Sequence, residues 1–202
     1  MKAIRLKLYQ EGTLKEMLES EESFGWDLHG EGEPLRDITL DSCQLSGIDF
    51  SEKKAEFSSV DCRFLNCDLS NLDLSRHSFF RTHFVDCKLL GPDFSSCRFV
   101  DCLFERCKIQ YASFSETEMK DCQMVDSECT RTFFHRFTQK NLKLKNVDLS
   151  GCEFLESDLR ELDISTCKIN EATFQIKSVN GLTVNTDQAV ALSKLMGLVV
   201  KD

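Results

Sequence analysis

Proline and glycine are scarce in this sequence, with 2 and 9 residues respectively among 202. This scarcity excludes a collagen-like chain and a disordered chain rich in proline and glycine. No apolar run reaches the roughly 18 residues of a membrane-spanning helix, so we predict no membrane association. The first residues alternate in charge and lack the apolar stretch of a signal peptide, so we expect a cytoplasmic protein.

Positive charge is also in short supply. The 25 lysines and arginines are outnumbered by 34 acidic residues, which gives a net charge of −9. A protein that binds nucleic acid directly needs a basic surface, so we predict no direct nucleic-acid binding. Cysteine, in contrast, occurs 11 times, and we expect all of these thiols to be reduced in the cytoplasm.

A repeat of five residues organises the middle of the chain. From Phe64 to Phe174, 23 consecutive positions at this spacing include 22 apolar residues, and Gln139 is the exception. Two residues before many of these positions lies a cysteine or another small residue. Neither a helix, with a period of about 3.6, nor a flat strand, with a period of about 2, has this spacing. It is typical of one short side of a β-solenoid coil.

Phenylalanine spacing indicates how many sides make one coil. Phe94, Phe114, Phe134, Phe154 and Phe174 recur every 20 residues, whereas a step of 15 mixes different side chains. We therefore predict an all-β fold with four pentapeptides per coil. The five rings should stack about 5 Å apart, near the spacing of paired strands.

The repeat predicts three parts. Residues 1–37 form an N-terminal cap, in which Thr13 and Glu16 begin a short helix as a capping box. Residues 38–176 form the solenoid, with an interrupting surface loop at 51–56 and a local bulge near 135–141, where Gln139 breaks the pattern. Residues 177–202 form a C-terminal extension with an α-helix from about 187 to 196.

The search for chemistry finds no converging nucleophile, base and oxyanion set, so we predict no enzyme, catalytic residue, cofactor or metal site. Stacked cysteines have the geometry for a disulfide or metal column, but small buried filler is the favoured interpretation. Outward acids form two columns, and lysines lie in the interruption. These candidate partner-facing residues are Asp73, Asp93 and Glu153, then Asp101, Asp121 and Glu161, then Lys53 and Lys54. The competing interpretations are ordinary solubility charge and a tolerated insertion.

The units at 67–71, 72–76 and 147–151, such as Val-Asp-Leu-Ser-Gly, resemble those of the pentapeptide-repeat family. The resemblance covers about residues 38–176. It implies a right-handed quadrilateral β-helix, in agreement with the four sides expected from the phenylalanine spacing.

A narrower resemblance is to the Qnr-type quinolone-resistance proteins, particularly the chromosomal members of Gram-positive bacteria. It rests on the chain length, on the ending from Gln188 to Val200 and on the spacing from Cys67-Asp68-Leu69 to Gly91-Pro92-Asp93-Phe94. The frame from Phe84 to Phe134 lacks the long second loop of the plasmid-borne members.

This resemblance implies a DNA-mimicking rod that binds DNA gyrase or topoisomerase IV and counters quinolones. It also implies a homodimer joined through the C-terminal helices. The apolar residues expected in that contact are Val190, Ala191, Leu195, Leu198 and Val199. The alternative is a pentapeptide-repeat scaffold for another protein partner, with no role at a topoisomerase.

Overall fold

The chain winds into a parallel β-solenoid with four faces, followed by a short C-terminal helix. The computed structural model describes residues 4, 6–8 and 10–201. Successive coils pair in parallel register, with Phe64 opposite Phe84 and Phe84 opposite Phe104. The predicted fold class is confirmed, because side chains 20 residues apart stack on each other.

The four faces are numbered in the order in which the chain passes through them after Phe64. Face 1 holds β1 Gln10–Gly12, β2 Trp26–His29, β4 Gln44–Ser46, β6 Arg63–Leu65, β8 His83–Val85, β11 Leu103–Glu105, β14 Gln123–Val125 and β16 Lys143–Lys145. Face 4 holds β3 Leu35–Asp41, β5 Ala55–Val60, β7 Ser78–Phe80, β10 Arg98–Val100, β13 Glu118–Lys120 and β15 Thr138–Lys140.

Faces 2 and 3 are paired mainly through isolated bridges. Face 2 includes β9 Lys88–Leu90 and β12 Lys108–Gln110, and face 3 includes β17 Glu153–Phe154 and β18 Thr173–Phe174. The helices are α1 Leu14–Ser20 and α2 Thr186–Ser193, and a 3₁₀ turn follows at Lys194–Met196. Thr13 and Asn185 cap α1 and α2 through capping boxes.

Stacked phenylalanines fill the core of face 3. The ring centroids from Phe94 to Phe174 are separated in turn by 5.1, 5.3, 4.8 and 5.0 Å. The planes differ by at most 21°, and all five side chains are buried. The predicted column is therefore confirmed. Like shapes stack because each coil places its central side chain directly above that of the coil before.

The corners between faces have a left-handed backbone from residue 66 to residue 161. The residue two positions after each central one has a φ between 48° and 71° at every corner from Asn66 to Glu161. None of these residues is β-branched, which fits the steric cost of this conformation for branched side chains. The β-branched residues in this frame, Thr166 and Ile176, do not have a positive φ.

All eleven cysteines are free and buried, as predicted. Ten of the thiols occupy the position two residues before the central one, Cys129 is itself central, and several thiols donate to the central carbonyl of the preceding coil. Examples are Cys107 to Phe84 at 3.3 Å and Cys87 to Phe64 at 3.4 Å. Burial raises the pKa of the Cys97 thiol to about 12. A hydrogen-bonding role explains why serine and threonine share this position with cysteine.

The solenoid begins earlier and ends later than predicted. Strands β1 and β2 already belong to the sheet of face 1, so the expected boundary at residue 38 is wrong. The pairing continues to Thr183, opposite Asp163, beyond the expected end at residue 176. The first coils do not repeat at 20 residues, because Asp27 pairs with Gln44, and a strict count of five therefore misses them.

The interruption at 51–56 is smaller than the surface loop we expected. A turn covers Ser51–Lys53, and β5 already begins at the buried Ala55. The backbone N–H of Leu35 donates to the carbonyl of Lys54 at 3.1 Å, which holds the segment against the neighbouring coil. The interruption is therefore a coil with one shortened side.

The prediction of a bulge near 135–141 is also wrong. Strand β15 pairs with β13 in regular register, with Gln139 opposite Met119. The Gln139 side chain is half-buried; its Nε2 donates to the carbonyl of Arg160 at 2.8 Å, and its Oε1 accepts the backbone N–H of Leu142 at 3.3 Å. The irregularity therefore lies between this coil and the next one.

Candidate protein-interaction surface

The four faces differ in charge. The outward positions of a face are the residues directly before and after each central one. Between residues 58 and 175, these positions carry three basic and two acidic residues on face 1, and four basic and two acidic residues on face 4. Face 2 carries three of each sign. Face 3 carries three acids, Asp73, Asp93 and Glu153, and no lysine or arginine. Face 3 is thus the acidic side of the rod.

The structure brings the three acids of face 3 into one column. Bridges connect Asp73 with Asp93, Asp93 with Ser113, Ser113 with Phe133, and Phe133 with Glu153. Asp73 is exposed, and the other two acids are half-buried. Hydrogen bonds from the hydroxyl and backbone N–H of Ser75 lower the pKa of Asp73, so its carboxylate stays charged at neutral pH.

Acids on the other faces are matched by bases one coil away or nearby in the chain. Asp68 pairs with Lys88 at 3.3 Å, Asp148 with Lys168 at 3.6 Å and Glu118 with Arg98 at 3.3 Å. In the part of the chain that the structure describes, no lysine or arginine pairs with an acid of face 3. Glu153 contacts His135 at 3.1 Å. Face 3 therefore presents the least neutralised carboxylates.

The second predicted column lies at the corner between faces 4 and 1, and only part of it is exposed. Glu161 is exposed and Asp121 is half-buried, whereas Asp101 is buried. The expectation that Asp101 faces a partner is wrong, because this corner packs its charges tightly. Asp61 and, more weakly, Asp101 raise the pKa of Arg81.

Local hydrogen bonds and one ion pair occupy the carboxylates of this corner. The amide of Asn141 donates to Asp121 at 2.7 Å and lowers the pKa of that carboxyl group. Arg81 donates to both carboxylate oxygens of Asp61, each at 2.7 Å. The corner therefore contributes less free negative charge than its sequence suggests.

The lysines of the shortened coil are not a projecting pair. Lys53 is half-buried and its backbone N–H donates to the carbonyl of Phe50 at 2.8 Å, while Lys54 is exposed. The segment therefore offers one exposed lysine, Lys54, next to the start of β5. A partner contact by Lys53 and Lys54 stays a prediction.

The C-terminal end exposes apolar side chains. Val190, Leu198 and Val199 are 43, 52 and 86 % exposed, and Ala191 is exposed as well. Leu195, predicted for the same contact, is half-buried against the core of its own chain. Sequence reasoning missed Met196 and Ile176, which are 68 and 60 % exposed. A count of apolar residues on one helix cannot show which of them its own last coil covers.

Face 3 also carries an exposed aromatic ring that sequence reasoning passed over. Phe133 is 38 % exposed and packs edge-on against His135, with centroids 5.7 Å apart. At the adjoining corner, Nη1 of Arg131 donates to the hydroxyl of Tyr111 at 2.7 Å. The signal was an aromatic residue in a column otherwise made of Asp, Ser, Glu and Thr. Exposed tyrosine and arginine are frequent at the centres of protein interfaces.

Among the described residues, no group of His, Cys, Asp or Glu is arranged to hold a metal ion. None of the helices described is long and apolar enough to cross a membrane.

Residues 57–134 match the family model described as the pentapeptide repeat region. This segment of the chain is similar to pentapeptide-repeat regions. No curated protein matches the chain. Among solved structures, it is similar to trypsin-treated QnrB1, a plasmid-mediated fluoroquinolone resistance protein, with 18 % identity and a TM-score of 0.46. That likeness covers 87 % of this chain and 98 % of that one.

Two other pentapeptide repeat proteins are similar at a comparable level of identity. HetL, involved in heterocyst differentiation regulation in the cyanobacterium Nostoc, is 14 % identical with a TM-score of 0.32, over 90 % of this chain and 86 % of that chain. A protein from the Arabidopsis thaliana thylakoid lumen is 19 % identical with a TM-score of 0.31, over 63 % of this chain and 75 % of that chain. At these identities and TM-scores, the likenesses do not bear on the function of this chain.

Proposed function

We propose that this protein is a non-enzymatic cytoplasmic rod that binds DNA gyrase or topoisomerase IV in place of DNA, as a homodimer, and so protects the enzyme from quinolones. The observation that carries the proposal is the column of Asp73, Asp93 and Glu153 on a face without lysine or arginine. A type II topoisomerase binds DNA through a basic surface, and an acidic rod is complementary to such a surface.

Further support comes from the sequence. The ending from Gln188 to Val200 and the two motifs between Cys67 and Phe94 resemble those of the Qnr-type proteins. The exposed apolar C-terminal residues supply a surface through which two rods can join about a two-fold axis.

The test replaces the three acids of face 3 with lysine, as Asp73→Lys, Asp93→Lys and Glu153→Lys. We expect gyrase binding to weaken at least about tenfold, equivalent to ~1.4 kcal/mol, and protection of supercoiling from a quinolone to be lost. Wild-type binding should also weaken as the salt concentration rises, because opposite charges attract less when screened. Binding is measured by biolayer interferometry and protection by a supercoiling assay.

A matched control carries the same charge change on face 2, as Asp68→Lys, Glu128→Lys and Asp148→Lys. The match extends to local structure, since Asp68 and Asp148 accept backbone N–H groups of Ser70 and Ser150 at 3.1 and 3.0 Å. Asp73 and Asp93 accept those of Ser75 and Ser95 at 3.1 and 2.8 Å. Equal losses in both triple variants would show that face 3 is not the binding face. A wild type that binds neither enzyme would favour the scaffold alternative.

A further inference from the structure

Two neighbouring coils lack backbone hydrogen bonds to each other over about half of the circumference of the rod. Between residues 137–156 and 157–176, face 2 is intact, with Lys168 N–H to Val147 O at 3.0 Å and Leu149 N–H to Lys168 O at 2.8 Å. Face 3 is intact as well, with Thr173 N–H to Cys152 O at 2.8 Å and Phe154 paired with Phe174. From Gln139 to Asn146, however, none of the described residues forms a backbone–backbone hydrogen bond with the following coil.

A departure from the repeat lies at each end of the segment 139–146 that lacks these hydrogen bonds. At the first end, the amide of Gln139 donates to the Arg160 carbonyl. At the preceding coils, the equivalent carbonyls of Val100, Lys120 and Lys140 accept a backbone N–H from a corner residue. At the second end, Asn146 N–H donates to the hydroxyl of Thr166 at 3.2 Å. At both ends, a side-chain group thus takes the place of a backbone group in the hydrogen bond. The reason is that the polar Gln139 occupies a core position and the β-branched Thr166 occupies a corner.

The opening between these two coils forms part of a groove of about 590 Å³, which is lined by residues 121–123 of the preceding coil, by residues 141–145 and, on the far side, by Glu161 and Asp163. The backbone N–H and C=O of Leu144 face it without a protein partner among the described residues. Leu144 is also half-buried, whereas the preceding central residues of face 1, Phe104 and Met124, are buried. An unpaired strand edge beside apolar side chains is a template for another strand.

We propose that this groove accepts an extended peptide segment of a partner protein, which adds a parallel strand next to β16. Backbone hydrogen bonds to an open strand edge provide affinity, and the pockets for alternate side chains provide selectivity. The intact pairing of faces 2 and 3 acts as the hinge, so admission of the peptide breaks the side-chain bridges of Gln139 and Thr166 but no backbone ladder. This site is independent of the proposed binding to a topoisomerase.

The side chains around the groove define the peptide. Its central residue lies between Leu144 and Ile164 and is therefore apolar. The residue after it lies between Lys145 and Ser165, and Lys145 is exposed and has no ion pair among the described residues. The residue before it lies between Lys143 and Asp163, whose charges offset each other. The favoured pattern is a small polar residue, a leucine and an acidic residue.

The experiment is an NMR titration of the full chain with the acetylated, amidated pentapeptide Ala-Ser-Leu-Glu-Asn at millimolar concentration. We expect saturable amide shifts confined to residues 139–146 and 160–166. A peptide with lysine in place of glutamate should bind about two- to fivefold more weakly, the range of one exposed ion pair. The variant Lys145→Glu should reverse this preference.

A closing variant provides the control. Gln139→Met copies Met119, which precedes it in the same column and is buried. Without the polar side chain at position 139, the backbone amide of Leu144 should exchange more slowly with solvent, and the amide shifts caused by the peptide should disappear. The circular dichroism spectrum should stay the same. The proposal is overturned if wild type shows no saturable shifts, if Gln139→Met binds as wild type does, or if Lys145→Glu leaves the preference unchanged.

Discussion

The thiol of Cys102 donates a hydrogen bond to the backbone carbonyl of Phe79, which is 3.2 Å away and 23 residues earlier in the chain. Thr117 and Thr132 repeat the relationship with Phe94 and Ile109, at 2.6 and 3.1 Å. At these three residues, the small buried position of a side holds Cys or Thr, and its side chain donates to the preceding coil. Cysteine is common there because it combines a donor with a small apolar volume.

Variants at Cys102 separate these two properties. Cys102→Thr copies Thr82 of the preceding coil and keeps a donor, whereas Cys102→Val has the same shape without one. We expect the valine variant to be less stable than the threonine variant by about 1 kcal/mol, the usual contribution of one hydrogen bond. Urea denaturation followed by circular dichroism measures the difference. Equal stabilities would mean that the thiol acts only as filler.

The left-handed corners give a second prediction, at the exposed Asn66 with a φ of 54°. Asn66→Val should lower the free energy of unfolding by about 1–2 kcal/mol, because a branched side chain collides with its own backbone in this conformation. Asn66→Gly is the control and should cost much less, since glycine adopts a positive φ freely. Thermal and urea unfolding check both variants. A valine variant as stable as the glycine variant would contradict the corner geometry.

The C-terminal contact gives a third prediction. Val190→Asp combined with Leu198→Asp should convert the proposed dimer to a monomer, measured by analytical ultracentrifugation at micromolar concentration. Leu195 is left unchanged because it packs on the core of its own chain. Leu90→Asp places the same kind of change on face 2, where Leu90 is 37 % exposed, and should leave the dimer intact. A monomeric wild type would remove the basis for this prediction.

His83 gives a prediction on pH. Burial, with a smaller contribution from Arg63, lowers its pKa to about 4 from the usual 6.5. The folded protein therefore keeps His83 neutral, while the unfolded chain binds a proton near pH 6.5. The resulting stability is present above pH 6.5 and is lost as the pH falls toward 4.

Replacement of His83 by leucine, the residue at position 103 of the next coil, tests this account. The urea midpoint of wild type should fall more steeply between pH 7 and pH 4 than that of His83→Leu. Carboxyl groups titrate in both proteins and cancel in the comparison. Parallel pH profiles would show that His83 does not control the acid stability.

The period of five was sufficient to predict the fold. It identified the inward positions, and the spacing of Phe94, Phe114 and Phe134 gave the number of faces because like side chains stack. Thr13 likewise marked the start of α1 through a local hydrogen bond. These features depend on residues that are close in sequence or separated by a constant interval, so pattern alone determines them.

Neighbours one coil away decided what the sequence left open. Asp101 occupies an outward position by the repeat, yet the packing at its corner buries it. Gln139 was recognisable as a fault, but only the structure shows that its amide reaches Arg160 and opens a groove toward the following coil. The column of Asp73, Asp93 and Glu153 was visible in the sequence, but only the structure shows that Lys and Arg pair with acids of the other faces and, among the described residues, with none of face 3. The sequence determines which side chains point inward, whereas burial, pairing and charge at the surface depend on contacts between coils.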